Sequence, residues 1–283
     1  MKFLIIIPAH NEEDYLLHTL KSLEAQSYQN FKVMIVNDGS TDRTQKIAHT
    51  FSYRNPQFIV LNLETSQHAP GAKVVRTFNK GLELVDLDQF DIICKFDADV
   101  IFPPNYLEKV QQVYRDNPKA GMVSGLVYIE ENGDWVFENL SSKQHIRGPI
   151  KSYRKECFRA MGGLRPVLGW DNIDVMLCKM HGYETIALQD LKVKHLRPTA
   201  YKYKAQKAEK LGEYFYNIGL DTPLAAIASL KSSLKNHSFT EFFTTMKTFF
   251  RLQKQNKERV LTEEEIQFIR QTRWKTMKGK LFF

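Results

Sequence analysis

Four apolar runs punctuate the first hundred positions: "FLIIIP" (3–8), "FKVMIV" (31–36), "FIVLNL" (58–63) and "FDIICKF" (90–96). None alternates cleanly between apolar and polar residues, so each predicts a strand covered on both faces. Between and after them the period changes. "EEDYLLHTLKSLEAQ" sets Leu16, Leu20 and Leu23 on one helical face. "STDRTQKIAHTF", with Ser40 or Thr41 as N-cap, "VVRTFNKGLELV" and "PNYLEKVQQVYRD" predict three more helices. Strands buried on both faces and joined by helices make an α/β fold with a mixed, mostly parallel sheet flanked by helices.

The pattern then shifts. "GMVSGLVYIEENGDWVFENL" predicts a strand pair around the turn ENGD, "GWDNIDVMLCKMHGY" a helix ended by Gly182, and "LKVKHL" a last short strand. From about residue 200 only helices are expected. Asp221 with Pro223, Ser238 with Glu241, and Thr262 with Glu265 mark helix starts. The chain of 283 residues is thus expected to divide into an α/β unit over 1–200 and a helical extension over 201–283. Charge separates along the same line. Lys plus Arg against Asp plus Glu is 24 against 24 over 1–200 and 16 against 8 over 201–283, so the whole excess of +8 lies in the extension.

Three cysteines without metal-type spacing, Cys94, Cys157 and Cys178, are expected to be reduced thiols. "FLIIIPAH" is too short and too soon polar for a secretory h-region, and no run approaches the roughly 20 apolar residues of a membrane span. The expected location is cytoplasmic. A neutral α/β region without a nucleic-acid motif argues against a nucleic-acid partner.

In an open parallel sheet ligands bind beyond the carboxyl ends of the strands. The first strand runs into "PAHNEE", the second into "NDGSTD", the fourth into "DAD", so His10, Asn11, Glu12, Asp38, Asp97 and Asp99 gather on one edge. Asp97 and Asp99, one residue apart in an extended segment, would share a face and could hold one cation such as Mg²⁺ or Mn²⁺. Their alternative use is to cap the helix near Pro103 and face water. For "NDGSTD" a plain turn competes with a base-binding role for Asp38.

The ordered set "PAHNEE", "VNDGSTD", "FDAD" and "GWDNID" resembles the family 2 glycosyltransferases, inverting enzymes of the GT-A fold that use nucleotide-diphospho sugars. The resemblance covers roughly residues 1–200. It implies a nucleotide-binding half over 1–100 and an acceptor half over 101–200. Pro8, Ala9 and Glu12 fall where the family holds the nucleoside, and Asp38 where an acid pairs with a uracil-type base. Gly71 and Lys73 fit the loop-to-helix segment beside the nucleotide, with looser spacing. Asp97 and Asp99 match the D-x-D motif, Asp99 as metal ligand and Asp97 nearer the ribose and sugar. "GWDNID" matches the position of a Glu-Asp pair in which the Asp is the base. Here Trp170 replaces the Glu and Asp171 keeps the base position. Asp174, one turn later, competes for it, and Asp171 as a mere helix cap is the bland alternative. His195, at the end of "LKVKHL", fits a further metal ligand, and Arg197 either faces the diphosphate or lies on the surface. "RGPIKSYRKECFRAMGG" resembles the segment before the acceptor site. Its Arg147, Lys151, Arg154 and Lys155 are read equally well as a solvated face.

The implied reaction is metal-dependent, with Mn²⁺ or Mg²⁺ as cofactor, a nucleotide-sugar donor and a carbohydrate or lipid-linked acceptor in cell-surface polysaccharide or glycolipid synthesis. Two alternatives are a nucleotidyltransferase, which would normally open with a Gly-rich loop absent from "PAHNEE", and an inactive binding module. Loops 63–72 and 128–150 are expected to set specificity. In the extension, Phe242, Phe243, Met246, Phe249 and Phe250 are expected either to pack on the catalytic unit, to dimerise, or to meet an anionic membrane surface.

Overall fold

The computed structural model describes residues 1–64, 71–198 and 207–281. Most of the 63–72 loop, and the start of the basic extension, lie outside them. The four apolar runs become strands β1 (Phe3–Ala9), β2 (Phe31–Asp38), β3 (Phe58–Leu63) and β4 (Ile92–Phe96), paired in parallel in the order β3-β2-β1-β4. Along β1 the side chains alternate between two cores. Phe3, Ile5 and Ile7 face helices α1 (Leu16–Glu24), α2 (Thr44–Arg54) and α4 (Tyr106–Asp116). Leu4 and Ile6 face α3 (Ala72–Leu82) and the later helices.

Beyond β4 the sheet turns mixed. The path continues β4-β8-β6-β9-β5, built from β5 (Val100–Ile101), β6 (Ala120–Glu131), β8 (Ile150–Arg154) and β9 (Glu184–His195), while β7 (Asp134–Phe137) pairs with β6 across the ENGD turn. β9 is a 12-residue strand rather than the short one expected at its end, because residues 184–187 also pair with β6, ahead of a register shift that separates them from the pairs of 192–195. The start of α2 also differs. Thr44, not Ser40 or Thr41, opens the helix, because residues 40–42 are drawn into contacts with the loop after β1.

Two helices, α5 (Lys155–Ala160) and α6 (Trp170–Met180), cover the second face. The extension follows as α7 (Lys207–Asn217), α8 (Thr222–Lys235), α9 (Phe239–Lys254) and α10 (Glu263–Leu281). Its Phe215, Leu224, Phe249 and Ile266 belong to the same buried cluster as Ile173 and Leu177 of α6. At roughly 1.5–3 kcal/mol for each fully buried side chain, this packing holds the extension on the α/β body. The packing expected of the extension's aromatics holds for Met246 and Phe249 but not for Phe243 and Phe250, which are exposed. All three cysteines are free and buried.

Candidate active site

The loop after β1 is tied to the turn after β2. Asn11 takes a left-handed backbone (φ 56°), which Asn tolerates better than most residues. Its amide donates to Ser40 Oγ at 3.0 Å, and its side-chain oxygen accepts from the Thr41 amide at 2.9 Å. His10 Nδ1 meets the carbonyl of Asp38 at 2.7 Å, and the Glu12 amide donates to Thr44 Oγ1 at 2.7 Å. Pro8, Ala9, Glu12 and Asp38 thereby face one cleft of about 300 Å³, which Gly71, Lys73, Asp97, Asp99 and Arg197 also line. Nine residues spread over 190 positions meet because parallel strands present their carboxyl ends on one edge.

Asp38 is buried, and its Oδ2 accepts from Thr77 Oγ1 at 3.1 Å and lies 3.3 Å from Lys73 Nζ. Lys73 and Thr77 stand one turn apart on α3, so one helix face fixes this carboxylate. Gly71 precedes that helix at φ 72°, and a Cβ there would sit 3.0 Å from Leu168 Cα. The loop into α3 can thus pass against the segment that leads into α6.

Asp97 and Asp99 do not lie in an extended strand, as their spacing suggested, but in the turn between β4 and β5. Thr19 of α1 pins this turn: its hydroxyl donates to Ala98 O at 2.8 Å and accepts from the Val100 amide at 3.1 Å. The Asp97 amide donates to Pro149 O at 2.9 Å. Val100 pairs with His195 across the β5–β9 ladder, which brings His195 into register with the turn. One ligand atom each from Asp97, Asp99 and His195 then lies within 4.8 Å of the others.

A row of alternating charge, half-buried at Glu12 and Arg197 and buried from Asp99 to Arg147, runs through this point. Arg197 Nη2 donates to both Glu12 oxygens at 2.6 Å, and its Nε donates to Asp99 Oδ2 at 2.8 Å. Asp99 Oδ1 lies 3.3 Å from His195 Nε2, His195 Nδ1 is 3.8 Å from Glu138 Oε2, and Glu138 accepts from Arg147 at 2.7 Å. Burial disfavours charge on both Asp99 and His195, yet the pairing outweighs it. The carboxyl of Asp99 is held below its usual range, and His195 is raised to about 9. Glu12 goes the other way. Its burial outweighs the pull of Arg197 and lifts it to about 7. The donor set of two carboxylates and an imidazole fits Mn²⁺ or Mg²⁺, provided His195 gives up its proton and Arg197 yields its hold on Asp99.

Asp171 lines a neighbouring cleft of about 270 Å³ instead, with Asn172, Lys207, Lys210 and Tyr214. Gly148 lies between Asp171 and the Lys95–Asp97 pair at the end of the first cleft. A Cβ at that glycine would lie 3.8 Å from Asp171 Oδ2, and its carbonyl faces Lys95 Nζ at 3.4 Å, which is paired with Asp97. Asp171 does not cap α6; Gly169 holds that position. Asp174 is buried, accepts from Lys151 at 2.7 and 2.8 Å and from the Tyr153 hydroxyl at 2.6 Å, and has no open side from which to reach a substrate. Arg147 and Lys151 are likewise buried in ion pairs, not spread on a solvated face.

Several residues at this site escaped the sequence reading: Thr19, Thr77, Lys95 and Glu138. Only Lys95 left a clear signal, a lysine inside the apolar run "IICKF", where burial demands a partner. It finds Asp97, and the Trp170 ring lies 5.2 Å away.

Residues 4–166 match glycosyl transferase family 2. The chain belongs to that family. The amylovoran biosynthesis glycosyltransferase AmsB of Erwinia amylovora is 37% identical over 102 residues, covering 35% of this chain and 31% of the relative. An uncharacterized glycosyltransferase of Haemophilus influenzae is 33% identical over 180 residues, 58% of this chain and 56% of the relative. The chain thus spans less than two thirds of either. Among solved structures, the mannosyltransferase PcManGT of Pyrobaculum calidifontis with GDP-Man and Mn²⁺ aligns over 100% of this chain and 81% of its own, at TM-score 0.60 and 15% identity. S. aureus TarS 1–349 with UDP-GlcNAc aligns over 81% of this chain and 71% of its own, at TM-score 0.57 and 21% identity. These likenesses show the shared GT-A fold expected of family 2.

Proposed function

We propose that the protein is a metal-dependent, inverting glycosyltransferase that moves a sugar from a nucleoside diphosphate to an acceptor hydroxyl. The observation that carries the reading is the single cleft that gathers Asp38, Glu12, Asp97 and Asp99, with Asp171 set off from the Lys95–Asp97 pair by Gly148. Asp38, with Lys73 and Thr77 behind it, would read the base, for which uracil is favoured, while Pro8, Ala9 and Glu12 flank the nucleoside and Gly71 leaves room beside it. Asp97, steadied by Lys95, would face the ribose and sugar.

Asp97, Asp99 and His195 would hold the Mn²⁺ or Mg²⁺, whose charge would offset that of the diphosphate. Arg197 contributes a second, permanent positive charge on the same side. Asp171 would take the proton of the acceptor hydroxyl as its oxygen bonds to the anomeric carbon, and the electron pair of the breaking C–O bond leaves with the nucleoside diphosphate. Attack from the face opposite the leaving group inverts the configuration. The donors bound by PcManGT and TarS support the substrate class. A carbohydrate or lipid-linked acceptor suits the open cleft at Asp171.

The test is product analysis and donor binding with Mn²⁺. Asp99→Ala is expected to lose Mn²⁺-dependent binding of UDP, and Asp171→Asn to keep it while transfer falls by roughly 10²-fold or more. Transfer by Asp171→Asn at the native rate would refute the base, and release of pyrophosphate from a sugar phosphate and nucleoside triphosphate would indicate a nucleotidyltransferase.

A further inference from the structure

The helical extension keeps a set of large apolar side chains out of the core. Of the twelve large hydrophobic side chains exposed among the described residues, six lie in the 33 residues of the α8–α9 hairpin: Ile227, Leu230, Leu234, Phe239, Phe243 and Phe250. Scattered single exposures are ordinary, but a cluster of this kind marks an interaction surface. Phe239 and Phe243 are 69% and 68% exposed.

Their spacing puts them in stripes. On α9, Phe239, Phe243, Lys247, Phe250 and Lys254 follow each other at steps of three or four, so they run up one side of the helix. Met246, Phe249 and Leu252 point the other way, into the core. On α8, Ile227, Leu230, Lys231 and Leu234 form the outer line, while Leu224, Ala225, Ser229 and Ser233 face inward. Both helices are therefore amphipathic twice over: one apolar face is buried and a second is left to the solvent side.

Charge decides what that second face fits. The hairpin carries Lys231, Lys235, Lys247, Arg251 and Lys254, all exposed, against one acid, Glu241. Glu241 is engaged by the Asn236 side chain at 2.7 Å. A second copy of this chain packed symmetrically on the same face would set five cations against five. Aromatic and aliphatic rows interleaved with Lys and Arg match the boundary of a bilayer whose headgroups are anionic. No helix among the described residues is long and apolar enough to cross a membrane, so this contact is interfacial.

We propose that the α8–α9 hairpin docks the protein on an anionic lipid bilayer, with Phe239, Phe243 and Phe250 at the acyl boundary and the lysines among the headgroups. Ser232 of α8 also lines the cleft at Asp171. Docking would therefore hold that cleft beside the bilayer, where a lipid-linked acceptor resides. This consequence rests on the role assigned to Asp171; the docking itself does not.

The experiment is co-sedimentation of the full chain with vesicles of phosphatidylglycerol and phosphatidylcholine, compared with phosphatidylcholine alone. Partition is expected to be at least ~10-fold stronger on the anionic vesicles. It should weaken as added salt shortens the Debye length from about 10 Å to about 3 Å. The double variant Phe239→Ser/Phe243→Ser is expected to lose at least ~10-fold in partition, since each ring withdrawn from the boundary forfeits on the order of tenfold. Its melting temperature should not fall, because neither side chain is in the core. Lys247→Glu/Arg251→Glu should remove the preference for anionic vesicles. Absence of binding to anionic vesicles, or equal binding by the Phe239→Ser/Phe243→Ser variant, would overturn the proposal. So would a dimer in sedimentation velocity that this variant converts to monomer, because a second copy would then cover the face. UDP binding with Mn²⁺, measured on the same samples, reports on the active-site reading separately.

Discussion

Asp174→Asn separates the two acids of α6 that compete for the role of base. Asp174 sits in a closed polar cluster. Lys151 and Tyr153 donate to its carboxylate, and Lys151 also donates to the main-chain carbonyl of Asp171 at 2.6 Å. The side chains of Lys151 and Asp174 are 0% and 1% exposed. Burial pushes the Asp174 carboxyl up, against the pull of Lys151 and Tyr153. Removing one charge of such a pair leaves the other buried without its counter-ion, which costs about 3–5 kcal/mol. The remaining contacts of Lys151, to the Asp171 carbonyl and to the face of Trp170 at 5.1 Å, soften the loss toward the lower end. For a chain of this size that is a fall in melting temperature of roughly 5–8 °C. Thermal unfolding followed by circular dichroism measures it. Lys151→Met/Asp174→Leu, which removes both charges, is expected to regain most of the loss. Asp171→Asn, whose half-buried side chain lies on a cleft, should stay within about 0.5 kcal/mol of the native protein. If Asp174→Asn were as stable as the native chain yet unable to transfer sugar, the structural assignment would be wrong and Asp174 would become the base.

His145 supplies a pH test. Burial, aided by the charge of Lys151, lowers its pKa from 6.5 to about 4, so the unfolded chain takes up its proton first as the medium is acidified. Stability should fall between about pH 6.5 and pH 4, by about 3 kcal/mol for the full shift and about 1–2 kcal/mol once partial solvation is allowed for. His145→Gln should flatten that part of an acid titration of the urea midpoint; an unchanged slope would clear His145 of the role. Gly212→Ala tests the closest approach in the extension. A Cβ there would sit 2.3 Å from Thr245 O and 2.9 Å from Thr248 Cβ, so α7 and α9 must part. The expected cost is about 1–3 kcal/mol in thermal unfolding, opposite in sign to the helix propensity of alanine.

The apolar runs marked the parallel half of the sheet because β1, β2 and β4 are covered on both faces and so mainly apolar, whereas β3, at the edge, is only partly buried. The edge where the acids gather followed from topology alone. β8 was harder to see, since "IKSYR" carries a lysine and an arginine whose partners, Asp174 on α6 and the carbonyls of Tyr114, Asn117 and Ala120, lie far off in sequence. The same holds for the row from Glu12 to Arg147. Only the family resemblance tied His195 to Asp99; no local pattern does, because the tie is a ladder between β5 and β9 some 95 residues apart. The packing of "FTEFFTTMKTFF" was legible only in part. Helical period sorts Phe249 from Phe250 onto different faces, but which face meets the α/β body depends on where α7 and α8 lie.

Local pattern, acting through burial and the period of the chain, determined by itself that this protein is α/β and that acids crowd one sheet edge. Tertiary structure decided which of those acids are engaged. It shut Asp174 inside an ion pair and left Asp171 on a cleft. It also set Asp97, Asp99 and His195 around one point. Partners for a buried charge are chosen by distance in space, which no local spacing encodes.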